Sequence, residues 1–122
     1  MHELSVCQSL LNEVERVASA QGATAVSRIG IAVGPLSGIE APLLDRAFDI
    51  ARIGTLAGEA ELEIEEIPIT VWCAACAAET RPTAANVLLC GRCGTWQVDI
   101  RSGNELILKQ VELIQPSETA MA

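Results

Sequence analysis

The chain has no tyrosine, one phenylalanine, two tryptophans, one histidine and a single lysine, Lys109. Aromatics make up 2% of a sequence that is 50% hydrophobic, so a core has to be assembled from alanine, valine, isoleucine and leucine. Phe48 is the one large ring away from Trp72 and Trp96, and those two flank a group of cysteines. The lack of histidine beyond position 2 leaves Ser37 without a general base. The segment Gly34-Pro35-Leu36-Ser37-Gly38 lacks the lysine that a phosphate-binding loop needs. Hydrolase and nucleotidase chemistry are excluded on these grounds, and no catalytic residue is expected.

Long apolar runs are missing too. No stretch approaches the roughly 18 uninterrupted residues of a membrane span, so no membrane partner is expected. The opening Met1-His2-Glu3-Leu4 has no basic n-region, and Glu13 and Glu15 interrupt the next segment. That is not the pattern of a secretory signal, and the expected location is cytoplasmic. Basic residues are scarce: eight face 16 acidic ones, a formal charge of −8. Such a surface repels phosphate backbones, so nucleic acid is not an expected partner. With 122 residues the chain fits one domain, or a small domain carrying a smaller metal-held one.

Periodicity divides the chain. Leu4, Cys7, Leu11, Val14 and Ala18 recur at helical spacing over residues 4–20, ended by Gln21-Gly22. Residues 24–33 alternate as a strand, with Ala25, Ser27, Ile29, Ile31 and Val33 on one face. A second helix is predicted over 41–53, opened by Pro42 and closed by Gly54. Residues 59–67 alternate acid with aliphatic, a strand whose glutamate face is solvated. Residues 105–114 alternate again, placing Leu106, Leu108, Gln110, Glu112 and Ile114 together. The expected fold class is α+β: two helices packed on one face of a three-stranded mixed sheet, the last strand rejoining the first. On this reading residues 1–68 plus 104–116 form one domain, a small β zinc ribbon spans 69–103, and 117–122 is a flexible tail.

Four of the five cysteines fall in a C-x2-C-x13-C-x2-C pattern, Cys73, Cys76, Cys90 and Cys93. Two intervening residues let one tight turn aim both sulfurs at one ion, and two such turns complete a tetrahedron, so these four are expected to bind structural Zn(II). Gly91 and Gly94 are expected to supply backbone freedom in the turns. Val71-Trp72 and Val87-Leu88-Leu89 read as strands leading into them. Trp72 and Trp96 are expected to shield the sulfurs from water. Four thiolates close the coordination sphere, so the site is structural and not catalytic. A thioredoxin-type dithiol normally appears once, at a strand-to-helix junction, and neither pair here is followed by helical patterning. Cys7, on the apolar stripe of the first helix, reads as a small core residue.

His2 is suggestive only in combination. Methionine aminopeptidase cuts poorly before a large second residue, so Met1 keeps its free amine. That amine, the imidazole and deprotonated backbone nitrogens can wrap a divalent ion in a square plane, a donor set that favours Ni2+ or Cu2+ over Zn2+.

The whole chain over residues 1–114 resembles the hydrogenase nickel-incorporation proteins (HypA/HybF type), small nickel metallochaperones. The resemblance is carried by Met1-His2-Glu3-Leu4, Ile31-Ala32-Val33-Gly34-Pro35-Leu36-Ser37-Gly38, Gly54-Thr55-Leu56-Ala57 before Glu61-Leu62-Glu63-Ile64, the paired CxxC, and Gly103-Asn104-Glu105-Leu106. It implies Ni(II) as transferable cargo, held by the Met1 amine, the His2 side chain and amide, and a donor from Glu3. It implies as partners a nickel-handling GTPase of hydrogenase maturation and the hydrogenase large subunit, with urease accessory proteins for some members. Two departures stand out: Ala77 where the family often has glycine, and Gly91-Arg92 where it often has proline. The competing class is a zinc-ribbon module of transcription or nucleic-acid machinery, which needs a basic or aromatic face; residues 69–102 offer Arg81, Arg92 and Arg101.

Overall fold

The computed structural model describes residues 3–84 and 87–116. Helix α1 (Glu3–Ala20) buries Cys7, Leu11, Val14 and Ala18 along one stripe, as its spacing requires. Strand β1 (Ala25–Val33) follows, then a 3-10 turn at Pro35–Ser37, helix α2 (Ala41–Ala51) and strand β2 (Glu61–Glu66). Strands β3 (Thr70–Cys73), β4 (Ala78–Thr80) and β5 (Val98–Ser102) make a second, small sheet in the order β4-β3-β5. Strand β6 (Leu106–Ile114) returns to the first sheet, whose order is β2-β1-β6.

The first sheet is mixed: β1 pairs with β2 in parallel and with β6 antiparallel. A parallel pair needs a crossover, and α2 supplies it. The core lies between sheet and helices, built from α1, Ile29, Ile31 and Val33 of β1, and Leu44, Ala47 and Phe48 of α2. The helices run side by side in the same direction, as two contacts at matching positions show. The Glu40 N–H donates to the Glu3 carboxylate at 3.3 Å, and the Cys7 thiol lies 3.4 Å from the Leu44 carbonyl.

Strict alternation does not survive in two strands. Register shifts lie between Val26 and Arg28, and between Gly30 and Ile31. The first puts Val26 in the core with Ile29, although simple alternation places them on opposite faces. The second leaves Lys109 unpaired in β6, so Val111 and Leu113 join Leu106 and Leu108 against the core, in place of Gln110, Glu112 and Ile114. Each bulge restores burial of the aliphatic residues and sends charge to the open face of the sheet.

That open face is ionic. Arg28 lies among Glu61, Glu63 and Glu112, at 3.8, 3.3 and 3.9 Å, and Lys109 binds Glu65 at 2.9 Å. Strand β2 is an edge, and Glu61, Glu63, Glu65 and Glu66 along it are exposed.

The turn before β2 is fastened from two sides. Glu15 of α1 accepts from the Leu56 N–H at 3.0 Å, and the Leu56 carbonyl accepts from the Val26 N–H at 2.9 Å. Where the chain passes to and from the small sheet, glycines allow backbone against backbone. The Gly34 N–H donates to the Glu105 carbonyl at 2.8 Å and the Leu36 N–H to the Gly103 carbonyl at 2.7 Å. A Cβ at Gly34 would stand 2.1 Å from the Gly103 oxygen, and Gly103 itself has φ 109°.

Candidate metal centre

The small sheet exists to hold two turns. Cys73 ends β3, and its sulfur accepts the Cys76 N–H at 3.4 Å, which closes the first turn. In the second, the Cys90 sulfur accepts N–H groups from Arg92 and Cys93, both at 3.4 Å. The four sulfurs lie within 4.8 Å of one another. Cys73 and Cys93 are 3.7 Å apart, and Cys76 and Cys90 are 3.8 Å apart. A tetrahedron with metal–sulfur bonds of about 2.3 Å has edges of about 3.8 Å, so the donor set fits an ion of zinc's size and preference. The four cysteines are a metal-binding cluster.

The residue after each pair must turn left-handed. Gly94 does so at φ 76°, and Ala77 holds the equivalent place at φ 50° with a side chain that disfavours it. Ala77→Gly is therefore expected to raise the stability of the metal-loaded chain by about 1 kcal/mol, read as a higher thermal midpoint at unchanged metal content. Gly91 plays a different part from the one its sequence position suggests. Its φ is not positive; a Cβ there would lie 2.3 Å from the Arg81 carbonyl oxygen, so glycine lets the second turn pack against the end of β4.

The four ligands are not equivalent. Cys73 and Cys90 are buried, Cys76 is half-buried and Cys93 is exposed. The hydrogen bonds around Cys90 favour its thiolate. The Cys93 N–H, the Thr80 hydroxyl and the Arg92 N–H, in that order, hold its thiol well below the ordinary value. Cys76 moves the other way, raised first by its neighbour Cys93.

Thr80 is a site residue that sequence spacing does not reveal. Its hydroxyl donates to the Cys90 sulfur at 3.6 Å and accepts the Gly91 N–H at 3.0 Å. Nothing in the pattern marks a threonine four residues after Cys76 as a partner of Cys90. The pairing depends on β4 folding back along β3.

Other expectations need correction. Val87-Leu88-Leu89 do not form a strand; among the described residues Val87 makes an isolated bridge with Ala84, and the strands that flank β3 come after the cysteine pairs. Trp96 is 74% exposed. Trp72 lies on the opposite face of β3 from buried Val71 and Cys73, and the Arg101 guanidinium rests 5.4 Å from its ring centre. Peptide N–H groups and the Thr80 hydroxyl supply the hydrogen bonds to the sulfur of Cys90.

Met1 and His2 of the expected nickel site lie outside the described residues, as does the 117–122 tail. Glu3 begins α1 and is 5% exposed. Its carboxylate receives the Glu40 N–H at the head of α2, where a negative charge meets the positive end of that helix. Cys7 is core, as expected: burial, then the nearby charges of Glu3 and Asp45, push its thiol up to about 11, so it is inert at neutral pH.

An α+β body with a four-cysteine cluster held in a separate small sheet is the build of a metal-handling accessory protein. A family model described as hydrogenase/urease nickel incorporation, metallochaperone, HypA, matches residues 1–113. A hydrogenase maturation factor HypA of Nitrosospira multiformis is 45% identical over 114 residues, 93% of this chain and 98% of that one. That of Aquifex aeolicus is 38% identical, covering 93% and 97%. The solution structure of the Ni metallochaperone HypA from Helicobacter pylori superposes with a TM-score of 0.69 at 29% identity, covering 94% of this chain and 99% of that one. The chain belongs to the HypA family of nickel-incorporation metallochaperones, and such proteins are not enzymes.

Proposed function

We propose that the chain captures Ni2+ at its amino terminus, through the Met1 amine, the His2 imidazole and amide and a Glu3 donor, and passes it on during maturation of nickel–iron hydrogenase. Cys73, Cys76, Cys90 and Cys93 hold a structural Zn2+. On this reading the chain comprises a nickel-binding α/β domain, 1–68 plus 104–116, and a zinc ribbon, 69–103. The receiving partners are a nickel-handling GTPase and the hydrogenase large subunit, with urease accessory proteins as a further destination, and the location is cytoplasmic. No helix among the described residues is long and apolar enough to cross a membrane.

The observation that carries the reading is how Glu3 is held. One of its carboxylate oxygens accepts the Glu40 N–H at the start of α2, which fixes the third residue to the body of the domain, and its amide is the donor we assign to the metal. N–H groups in a first helical turn take no part in the helix's own ladder, so an amide given to nickel breaks no ladder bond of α1. A fixed third residue ahead of two terminal ones gives a site with an anchored base. Its donors can be replaced one at a time by those of an acceptor.

Metal analysis with absorption spectroscopy tests this. The purified chain should carry about one zinc and take up one further Ni2+, with the weak yellow absorption of square-planar nitrogen coordination and without sulfur-to-nickel charge-transfer bands. Strong sulfur-to-nickel bands, with zinc displaced in step, would refute the terminal site.

A further inference from the structure

We propose that the cysteine cluster is graded, with Cys90 as its fixed ligand and Cys93 as the ligand that exchanges first, and that Thr80 is the positioning residue that sets this order. The inference rests on zinc being the ion that the cluster holds. Cys90 accepts three hydrogen bonds, from the N–H groups of Arg92 and Cys93 and from the Thr80 hydroxyl. Cys73 accepts one, from the Cys76 N–H. Among the described residues, the hydrogen bond at the Cys93 sulfur is to another sulfur, Cys73 at 3.7 Å, with no N–H or hydroxyl donor, and Cys93 is the exposed member of the four.

Each donor drains electron density from a thiolate and ties the sulfur in place, so a metal-bound sulfur with three donors is the poorest nucleophile of the set. Burial adds to this, because a reagent or competing thiol cannot approach Cys90 from solvent. Cys93 offers the opposite: an open approach and no donor. Thr80 belongs to β4, and its hydroxyl also receives the Gly91 N–H at 3.0 Å, so it fastens the second turn to the small sheet while it quietens Cys90. The cluster therefore opens at the Cys93 side, and an incoming thiophilic reagent or chelator meets it there.

Differential alkylation reads the order directly. The full-length zinc-loaded chain is treated with limiting light iodoacetamide, then denatured and capped with the heavy reagent, and each cysteine is quantified by peptide mass spectrometry. In the first step the sulfur attacks the reagent's methylene carbon; an S–C bond forms, the C–I bond breaks, iodide leaves, and the thioether no longer coordinates. Cys93 should be labelled first and Cys90 last. Thr80→Val, close in shape but without the hydroxyl, should raise the labelling rate of Cys90 and the rate of zinc release to a coloured chelator by on the order of tenfold, with one zinc still bound. Thr80→Ser should restore both. Purification without zinc would overturn the zinc reading and this inference with it. One bound zinc with Cys90 labelled as fast as Cys93 would overturn the inference alone. Unchanged Cys90 labelling in a zinc-loaded Thr80→Val chain would remove Thr80 from it.

Discussion

A four-residue extension ahead of Met1 is expected to abolish tight nickel binding and leave the zinc untouched. The terminal amine is basic because it is not an amide; joining it to a further residue removes that basicity and moves the charge away from His2. The extension must exceed one residue. A single added residue would place the imidazole third from a new amine, a spacing that also wraps an ion in a plane of nitrogens. His2→Ala removes the imidazole directly. Each change should weaken nickel by at least about a hundredfold, near 2.7 kcal/mol, in a calorimetric titration. With reference pKa values near 8 for the amine and 6.5 for the imidazole, protons compete below neutrality, and affinity should fall more than tenfold per unit below about pH 6.5. Equal nickel binding by all three chains would remove the terminal site. Zinc content reports separately that the fold survives.

Gly34→Ala should have the largest effect on stability. The new methyl carbon would sit 2.1 Å from the Gly103 carbonyl oxygen, 2.2 Å from its carbon and 2.8 Å from the Asn104 nitrogen. All three are backbone atoms, so no side chain can swing aside. Relief would require parting the Gly34-to-Glu105 and Leu36-to-Gly103 hydrogen bonds, and Gly103 cannot retreat because it already packs on Ile69. A cost of about 3 kcal/mol or more is expected, a large share of the stability of a small domain. Chemical denaturation at fixed zinc would read it as a lower midpoint. A midpoint within error of the parent would mean that these two stretches of chain do not meet so closely.

The helices and the metal cluster were legible because their signals are periodic or paired. Cys7, Leu11, Val14 and Ala18 repeat at helical spacing and are buried along one stripe. The cysteine spacing carries its own geometry, and four sulfurs do converge. What escaped depends on contacts between distant segments. A bulge costs one residue of phase, so the core face of β6 cannot be read past Lys109 from alternation alone. Thr80 matters only because β4 lies against the second turn. The need for Gly34 is invisible until Gly103 arrives beside it. Trp96 looked like a shield because it stands near cysteines in sequence, yet it is 74% exposed.

The glutamates along β2 also bear on how a carrier keeps to itself. An unpaired strand edge is a template on which another copy could add, and a row of like charges makes that addition repulsive. Glu61, Glu63, Glu65 and Glu66 line this border, and Arg28 and Lys109 offset them only in part. Two copies that meet edge to edge would bring eight carboxylates together against four cations. The border is a fence that makes edge-to-edge addition of a second copy along β2 repulsive.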